Sequence, residues 1–244
     1  MRAGRRAPIH AAAAPAAAFP WPRRPLRSAA RAQPGEGAAA PPAAAAAAAG
    51  GGAEEVKKEL RAALEGLDRG IFGTTAAKRE AVLSLVARLE ALNPLPQPLR
   101  RMDALAGEWR LLYTTIAITG VKKTKLGLRE FVKLGDFVQI IDTENHAAIN
   151  RVSFSVAGFA KFGGSLTINA AYAPAPPPLD GSRVEINFSD AKLTPEALEA
   201  LFRANYDLLL SIFNPQGWLD VTYVDEEVRV GRDDKGHVFV VERC

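Results

Sequence analysis

An alternation of apolar and polar side chains with a period of two runs through most of the chain from residue 109 onward. In its first run, Trp109, Leu111 and Tyr113 share one face, and Leu112 interrupts the pattern. Eight apolar runs occur, at residues 109–113, 137–141, 152–156, 166–172, 184–188, 219–223, 228–230 and 237–241, and a weaker one spans 128–132. Alternation with one polar face is typical of antiparallel strands, and this many strands protect their edges by closing or sandwiching. The pattern therefore predicts a mainly β fold of eight or nine antiparallel strands.

Helical periodicity appears in three places. Before the strands, residues 56–71 and 82–92 each carry an apolar stripe, and Thr74 or Thr75 can cap the second helix. A third helix is predicted to begin at residues 194–196, before the C-terminal strands, and it serves as a lid, a plug or a packed connection. The two N-terminal stripes favour docking onto the main domain. A membrane-surface role is the alternative, but the second stripe lacks the aromatic and basic residues of an interfacial helix.

The first 53 residues differ in composition from the rest of the chain. They are mostly Ala and Pro, with seven Arg against one Glu, which gives a charge of +6. Because the whole chain carries +4, residues 54–244 carry −2, and this balance argues against a nucleic-acid-binding domain. An acid-poor, Arg-rich leader is typical of an organelle transit peptide, and a low-complexity tail is the alternative. We expect a disordered leader and linker at 1–53, helices at 54–98 and the β domain at 99–244.

Sequence signatures of catalysis, metal binding and membrane spanning are missing. One cysteine, the last residue, and three widely separated histidines predict no disulfide framework, no metal site and no cofactor. The chain has no glycine-rich phosphate loop, nucleophile elbow or zinc-protease motif. No apolar run is long enough to span a bilayer, so any membrane association is predicted to be peripheral. We therefore predict that the protein is not an enzyme.

Two charged clusters remain in the sequence. The acidic one consists of Asp220, Asp225, Glu226 and Glu227, and it favours ion pairs with Arg229 and Arg232 at strand ends over acid–base chemistry. The basic one consists of Lys122, Lys123, Lys125, Arg129 and Lys133. A solvated loop face and a contact with anionic lipid head groups are both open for the basic cluster.

The interior of a barrel of about eight strands is either filled by its own side chains or holds one small apolar ligand. Apolar alternation is the same in both cases and does not decide between them. Candidate ligand-binding side chains are Trp109, Leu111, Tyr113, Phe154, Ile168, Phe188, Trp218, Tyr223 and Phe239. Candidate polar side chains at the barrel are Asp142, Asp220, Asp225, Arg229 and Arg232.

Several sequence blocks resemble a known family. The segment at 107–115, GEWRLLYTT, resembles the GKWxLLYTT strand of the plastid-lipid-associated proteins, also called plastid fibrillins. Residues 78–94 resemble the helix that precedes this strand in the family, and residues 139–142 and 149–152 resemble the two blocks that follow it. The blocks at 217–232 and 235–240 are similar to its C-terminal signature, with the acidic position at Asp225. The resemblance covers about residues 55–243.

This resemblance implies a lipocalin-like barrel in a chloroplast protein, at plastoglobules, at the thylakoid surface or in the stroma. Family members are thought to bind or carry apolar lipids and isoprenoids, and some support plastoquinone supply through a prenyl-diphosphate synthase partner. Lipocalin-like barrels often stack an arginine over the tryptophan of the first strand, here Trp109. Arg229, Arg232 and Arg243 are the candidates for that arginine.

Three functions follow, in decreasing order of support. The first is a binding module that takes one prenyl-lipid, quinone or acyl lipid into the barrel, associated with plastoglobules or thylakoids. The second is a coat or scaffold of plastid lipid bodies, with a filled barrel and no ligand. The third is a lipid-directed enzyme, which needs an inward titratable pair, and Asp142 and Asp220 are the candidates for it.

Overall fold

A computed structural model describes residues 43–117, 132–156, 163–196 and 216–244 of the chain. These residues form a closed β-barrel preceded by helices. Within these ranges the strands are β1 Gly107–Thr114, β2 Val132–Asp142, β3 Ala147–Val156, β4 Gly163–Pro174, β5 Arg183–Thr194, β6 Gly217–Val224, β7 Val228–Asp233 and β8 Val238–Arg243. Each strand pairs antiparallel with the next, and β8 pairs with β1 to close the barrel. The predicted mainly β, antiparallel architecture is confirmed.

Two predicted elements fall largely on residues that the structure does not describe. The weak strand at 128–132 lies outside the described residues except for Val132, which begins β2. The helix predicted from residue 194 falls mostly on 197–215, also outside them. Of the basic cluster, Lys122, Lys123, Lys125 and Arg129 lie outside the described residues, and Lys133 is the second residue of β2.

The helices precede the barrel. They are α1 Ala43–Leu64, α2 Ala76–Glu90 and the short α3 Met102–Leu105, with 3₁₀ turns at Asp68–Gly70 and Pro98–Arg100. The Thr75 hydroxyl caps α2 by accepting a hydrogen bond from the Lys78 backbone N–H at 3.4 Å. Residues 43–53 of the predicted disordered linker are helical, because their alanines have high helix propensity and Ala53 is buried against the domain.

Both long helices pack on the outer face of the barrel. Val56 and Leu60 of α1 and Val86 of α2 are at most 3% exposed and form one cluster with β7 and β8 side chains such as Val230 and Val240. This confirms that the apolar stripes dock onto the domain. Among the described residues, no helix is long and apolar enough to cross a membrane.

Two β-bulges change which face a strand turns inward. Leu111 and Tyr113 are two positions apart on β1, yet they pair with the adjacent Val241 and Val240 of β8, so Leu112 is an extra residue. Thr222 is extra in the same way on β6, between Val221 and Tyr223. Each bulge shifts the alternation by one position, and the residues beyond it exchange faces.

The bulges correct the predicted positions of two aromatic side chains. Tyr113 and Tyr223 are fully buried, but in the cluster between barrel and helices rather than in the barrel interior. Neither lines the interior cavity described below. The interruption at Leu112 was visible in the sequence, whereas nothing in the pattern marked Thr222.

Candidate functional site

One end of the barrel is closed by α3 and the residues around it. The Trp109 side chain is fully buried there, and its indole N–H donates a hydrogen bond to the Leu105 carbonyl at 2.9 Å. The Arg243 guanidinium lies 4.2 Å from the centre of the Trp109 ring and donates to the Ala104 and Ala106 carbonyls, both at 2.7 Å. These contacts tie the last strand, the first strand and α3 together, so this end of the barrel is sealed.

The predicted arginine over Trp109 is provided by two of the three candidates. Arg243 stacks on the ring as described, and the Arg229 guanidinium lies 5.0 Å from its centre. Arg232 points to the outer face instead, where it donates two hydrogen bonds of 2.8 Å to Glu90 of α2.

A cavity of about 380 Å³ occupies one side of the barrel interior. Its walls come mainly from β1, β2 and β3 on one side and from β6, β7 and β8 on the other, and Ile186 of β5 also contributes. Four of the nine candidate ligand-binding side chains line it, namely Trp109, Leu111, Trp218 and Phe239. Further apolar wall residues are Phe137, Val152, Leu219, Val221 and Val241. The volume lies toward the lower end of the range of about 300–1,000 Å³ for small-molecule sites.

The opposite side of the interior is filled. Ile168 of β4 and Leu193 of β5 are fully buried, and Phe154 and Phe188 pack in the same cluster. These candidates therefore face inward, as predicted, but they fill the barrel rather than line the cavity. By contrast, the inward-facing Leu111, Leu219 and Phe239 keep partial exposure because they border open space.

A loop completes the cavity wall where two strands separate. β1 pairs with β2 over only four positions, and the 3₁₀ turn Asp68–Gly70 contacts β1 beyond them. Arg69 donates hydrogen bonds to the Leu134 and Gly135 carbonyls of β2. A Cβ on Gly70 would lie 2.3 Å from the Thr114 carbonyl oxygen, so only glycine fits there. Ile71, next in the chain, lines the cavity at 2% exposure.

A polar group lies at the closed end of the cavity. The Arg229 guanidinium donates to the Gln139 side-chain oxygen, and the Gln139 amide donates to the Asn150 oxygen at 3.0 Å. All three residues line the cavity, and Arg229 is 6% exposed. Burial and the neighbouring Arg243 lower the pKa of Arg229 to about 10, so it stays charged at neutral pH. Among the described residues, no carboxylate pairs with this cation.

The outer end of the cavity lies at the turn between β7 and β8. Gln216 and Lys235 line the cavity there and are exposed to solvent. The Asp233 carboxylate is 2.8 Å from the Nδ1 atom of His237, and both residues line the same end. Arg183 stacks over Trp218 at 3.7 Å from the ring centre. The outer end is therefore polar, and the middle of the cavity is apolar.

The remaining polar candidates lie away from the cavity. Asp142 closes the β2–β3 turn by accepting hydrogen bonds from the backbone N–H groups of Glu144 and Asn145. Asp220 accepts two hydrogen bonds of 2.6 Å from Arg183. Asp142 and Asp220 do not form an inward titratable pair, so the enzyme hypothesis loses its two candidate residues.

Asp225 belongs to an ion-pair cluster that anchors α1. Its carboxylate accepts hydrogen bonds from the Tyr223 hydroxyl at 2.5 Å and from Lys57 at 3.0 Å. Burial opposes the charged form of Lys57, but hydrogen bonds to Glu54, Asp225 and Glu227 outweigh it and raise the pKa of that amine. Burial likewise opposes ionisation of Asp225, but hydrogen bonds led by that from Tyr223 hold its pKa below the usual value. The cluster is structural, and it joins α1 to the β6–β7 turn.

Sequence reasoning missed the cavity's polar residues on β2 and β3. Gln139 was inside a run described only as apolar, and Asn150 preceded the run of β3. Both lie on the inward face because Gln139 pairs with Trp109 and Asn150 pairs with Gln139. A polar residue at an inward position of an otherwise apolar strand is the signal that could have found them.

An eight-stranded antiparallel meander, sealed at one end beneath a stacked Trp–Arg pair and hollow on one side, defines a lipocalin-like barrel. The PAP_fibrillin family model matches residues 54–242. The chain therefore belongs to the PAP/fibrillin family of plastid-lipid-associated proteins.

Named relatives support this assignment. The chain is 30% identical to the chromoplast-specific carotenoid-associated protein C1 of an Oncidium hybrid cultivar, over 77% of this chain and 68% of that protein. It is 26% identical to the plastid-lipid-associated protein of Citrus unshiu, over 76% and 66%. It is 28% identical to the probable plastid-lipid-associated protein 3 of Arabidopsis thaliana, over 78% and 58%. These relatives are named chloroplastic or chromoplastic, and this chain is a plastid protein.

Proposed function

We propose that the protein binds one small apolar plastid lipid, a prenyl-lipid, quinone or acyl lipid, inside the barrel. The observation that carries the proposal is the cavity of about 380 Å³ with an apolar middle and an outer end at the β7–β8 turn. Burial of an apolar chain against its walls provides about 25 cal/mol per Å² of surface removed from water. The scaffold hypothesis requires a filled barrel. The cavity therefore favours the binding hypothesis over it.

The cellular role follows from the family and not from the geometry. Relatives carry names that associate them with plastid lipids and with carotenoids. We propose that this chain acts without catalysis, at the surface of plastoglobules or thylakoids, and that its cargo supports isoprenoid or plastoquinone metabolism. A prenyl-diphosphate synthase is the proposed protein partner. Residues 1–53 are proposed to contain the transit peptide and a linker.

A binding experiment tests the cavity directly. The lipid-free chain is titrated with decyl-plastoquinone, and quenching of tryptophan fluorescence is followed because Trp109 and Trp218 are among the residues that line the cavity. Bound lipids are also extracted from the protein purified from plastids and identified by mass spectrometry. We expect saturable quenching and one class of apolar lipid in the extract.

A matched pair of variants assigns the binding to the cavity. Leu111→Phe together with Val221→Phe narrows the cavity, because both side chains line it. Ile149→Phe is the control, since Ile149 is the outward neighbour of the inward Asn150 on β3. Quenching should weaken only in the double variant. Equal quenching in all three proteins, or none in the wild type, would remove the proposal.

A further inference from the structure

Arg229 is a buried charged group in the cavity wall to which the apolar-lipid proposal gives no role. It lines the closed end of the cavity, at 6% exposure, opposite the polar end at Asp233. Along β7 the two residues are four positions apart, which corresponds to about 13 Å. A ligand that fills the cavity therefore has one terminus at Arg229 and the other near solvent.

Arg229 has a second cation, Arg243, near it, but no carboxylate among the described residues pairs with it. Its partners are the neutral Gln139 side chain and the face of Trp109, and the second cation near it, Arg243, is bonded to backbone carbonyls. Of the three carboxylates that precede it in the β6–β7 turn, Asp225 and Glu227 are bound to Lys57 on the outside of the barrel, and Glu226 is exposed to solvent. Within the described part of the chain, the salt bridges include none to Arg229. An uncompensated buried charge is costly, and such charges in proteins are normally paired.

Neighbouring side chains hold the guanidinium in place for a ligand. The Gln139 side-chain oxygen accepts a hydrogen bond from the Arg229 guanidinium, and the Gln139 amide is oriented by its own hydrogen bond to Asn150. The guanidinium also lies over the Trp109 ring. The five N–H donors of a guanidinium form a fixed fork that matches a carboxylate, and at least one donor remains for the cavity after the bond to Gln139. A neutral quinone carbonyl or a hydrocarbon end would leave the charge uncompensated.

We infer that the cavity is built for a single-chain lipid carboxylate, whose head group pairs with Arg229 at the closed end while its hydrocarbon chain runs toward the β7–β8 turn. This inference rests on the proposed function, because it names the class of lipid that the same cavity takes. It predicts discrimination between two ligands that share a chain and differ only in the head group.

The test measures equilibrium binding of radiolabelled palmitate and radiolabelled hexadecanol to the full chain after lipid removal. A charge-assisted hydrogen bond that one ligand makes and the other lacks is expected to favour palmitate by about tenfold or more. Arg229→Gln should remove this preference, because it weakens palmitate binding more than hexadecanol binding. Arg229→Lys keeps the charge and should retain part of the preference.

A second variant tests the idea without removing the cation. Gln139→Glu places a carboxylate on the side chain that already contacts Arg229, so the protein supplies its own counter-ion. Palmitate should then lose its advantage over hexadecanol, and the thermal midpoint of the lipid-free variant should not fall. Retention of the wild-type preference in Gln139→Glu would contradict the inference.

The outcomes separate this inference from the proposed function. Equal binding of palmitate and hexadecanol to the wild type would overturn the carboxylate inference and leave the apolar-lipid site standing. Failure of both ligands and of decyl-plastoquinone to bind would overturn the proposed function as well. If Arg229→Gln does not fold, as judged by circular dichroism, the wild-type ratio and Gln139→Glu still decide.

Discussion

Replacing one leucine on each side of the barrel interior by the larger phenylalanine tests whether the barrel is hollow beside Leu111. Leu193 of β5 is fully buried in the filled half, whereas Leu111 of β1 is partly exposed to the cavity. Each is replaced by Phe in a separate variant. Both variants add the same atoms, so any difference between them reports the free space around the original side chain.

The expected magnitudes differ because only one site has room. Extra atoms in a well-packed core force side chains off their rotamers and cost about 1–3 kcal/mol. Leu193→Phe should therefore lose about 1–3 kcal/mol of unfolding free energy, and with a urea m value of about 2 kcal/mol per molar its midpoint falls by about 0.5–1.5 M. Leu111→Phe grows into the cavity, so its midpoint should stay near that of the wild type.

The assay is equilibrium urea unfolding of lipid-free protein, followed by tryptophan fluorescence and by circular dichroism. Leu193→Met and Leu111→Met are the matched controls, because a change that conserves volume costs less than about 1.5 kcal/mol at either site. Equal losses in the two Phe variants would mean that the interior around Leu111 is as filled as that around Leu193. The hollow barrel, and with it the binding proposal, would then be refuted.

Three further changes probe the supports of the barrel, each by urea unfolding. The pKa of Asp225 is lowered in the folded state, so its contribution is present above the unfolded carboxyl pKa of about 3.9 and is lost as the pH falls below it. Asp225→Asn should cost about 1.5–3 kcal/mol at neutral pH and flatten the stability profile below about pH 4; an unchanged acid limb would contradict this. Trp109→Phe leaves the Leu105 carbonyl without its donor and should cost at least about 1–3 kcal/mol, so a neutral result would show that this end is not held by that contact. Arg232→Gln breaks a partly exposed pair with Glu90 and should cost no more than about 1 kcal/mol; a larger loss would mean that the pair is essential for docking α2.

The strands were predictable because a period of two is a local property of the sequence. Each of the eight stronger runs became a strand, and the Asp-Asp-Lys-Gly turn at 233–236 joined the last two. The family resemblance also predicted that an arginine stacks on Trp109. It did not predict that Arg243 and Arg229, and not Arg232, make this contact. That choice depends on the register of β7 and β8 against β1, which is set by contacts distant in sequence.

The cavity was not predictable because inward-facing residues follow the same pattern whether they meet each other or border a space. Ile168 and Leu111 are both apolar residues at inward positions that pack in or against one cluster, and only the assembled barrel shows that Leu111 also borders the cavity whereas Ile168 does not. The contribution of Ile71 to the cavity wall could not be predicted either, because the sequence pattern placed that residue at the end of a helical stripe. In the structure it follows a 3₁₀ turn that inserts beside β1.

The two bulges explain why the hollow lies where it does. Without Leu112 and Thr222 as extra residues, the alternation of β1 and β6 would carry the rings of Tyr113 and Tyr223 into the interior, on strands that form the cavity walls. The bulges turn both rings outward, where α1 and α2 bury them, and the smaller Thr114 takes the inward position on β1. The N-terminal helices thus do more than cover the barrel, because they give two large aromatic side chains a buried place outside it. The cavity therefore depends on the helices as well as on the strands that line it.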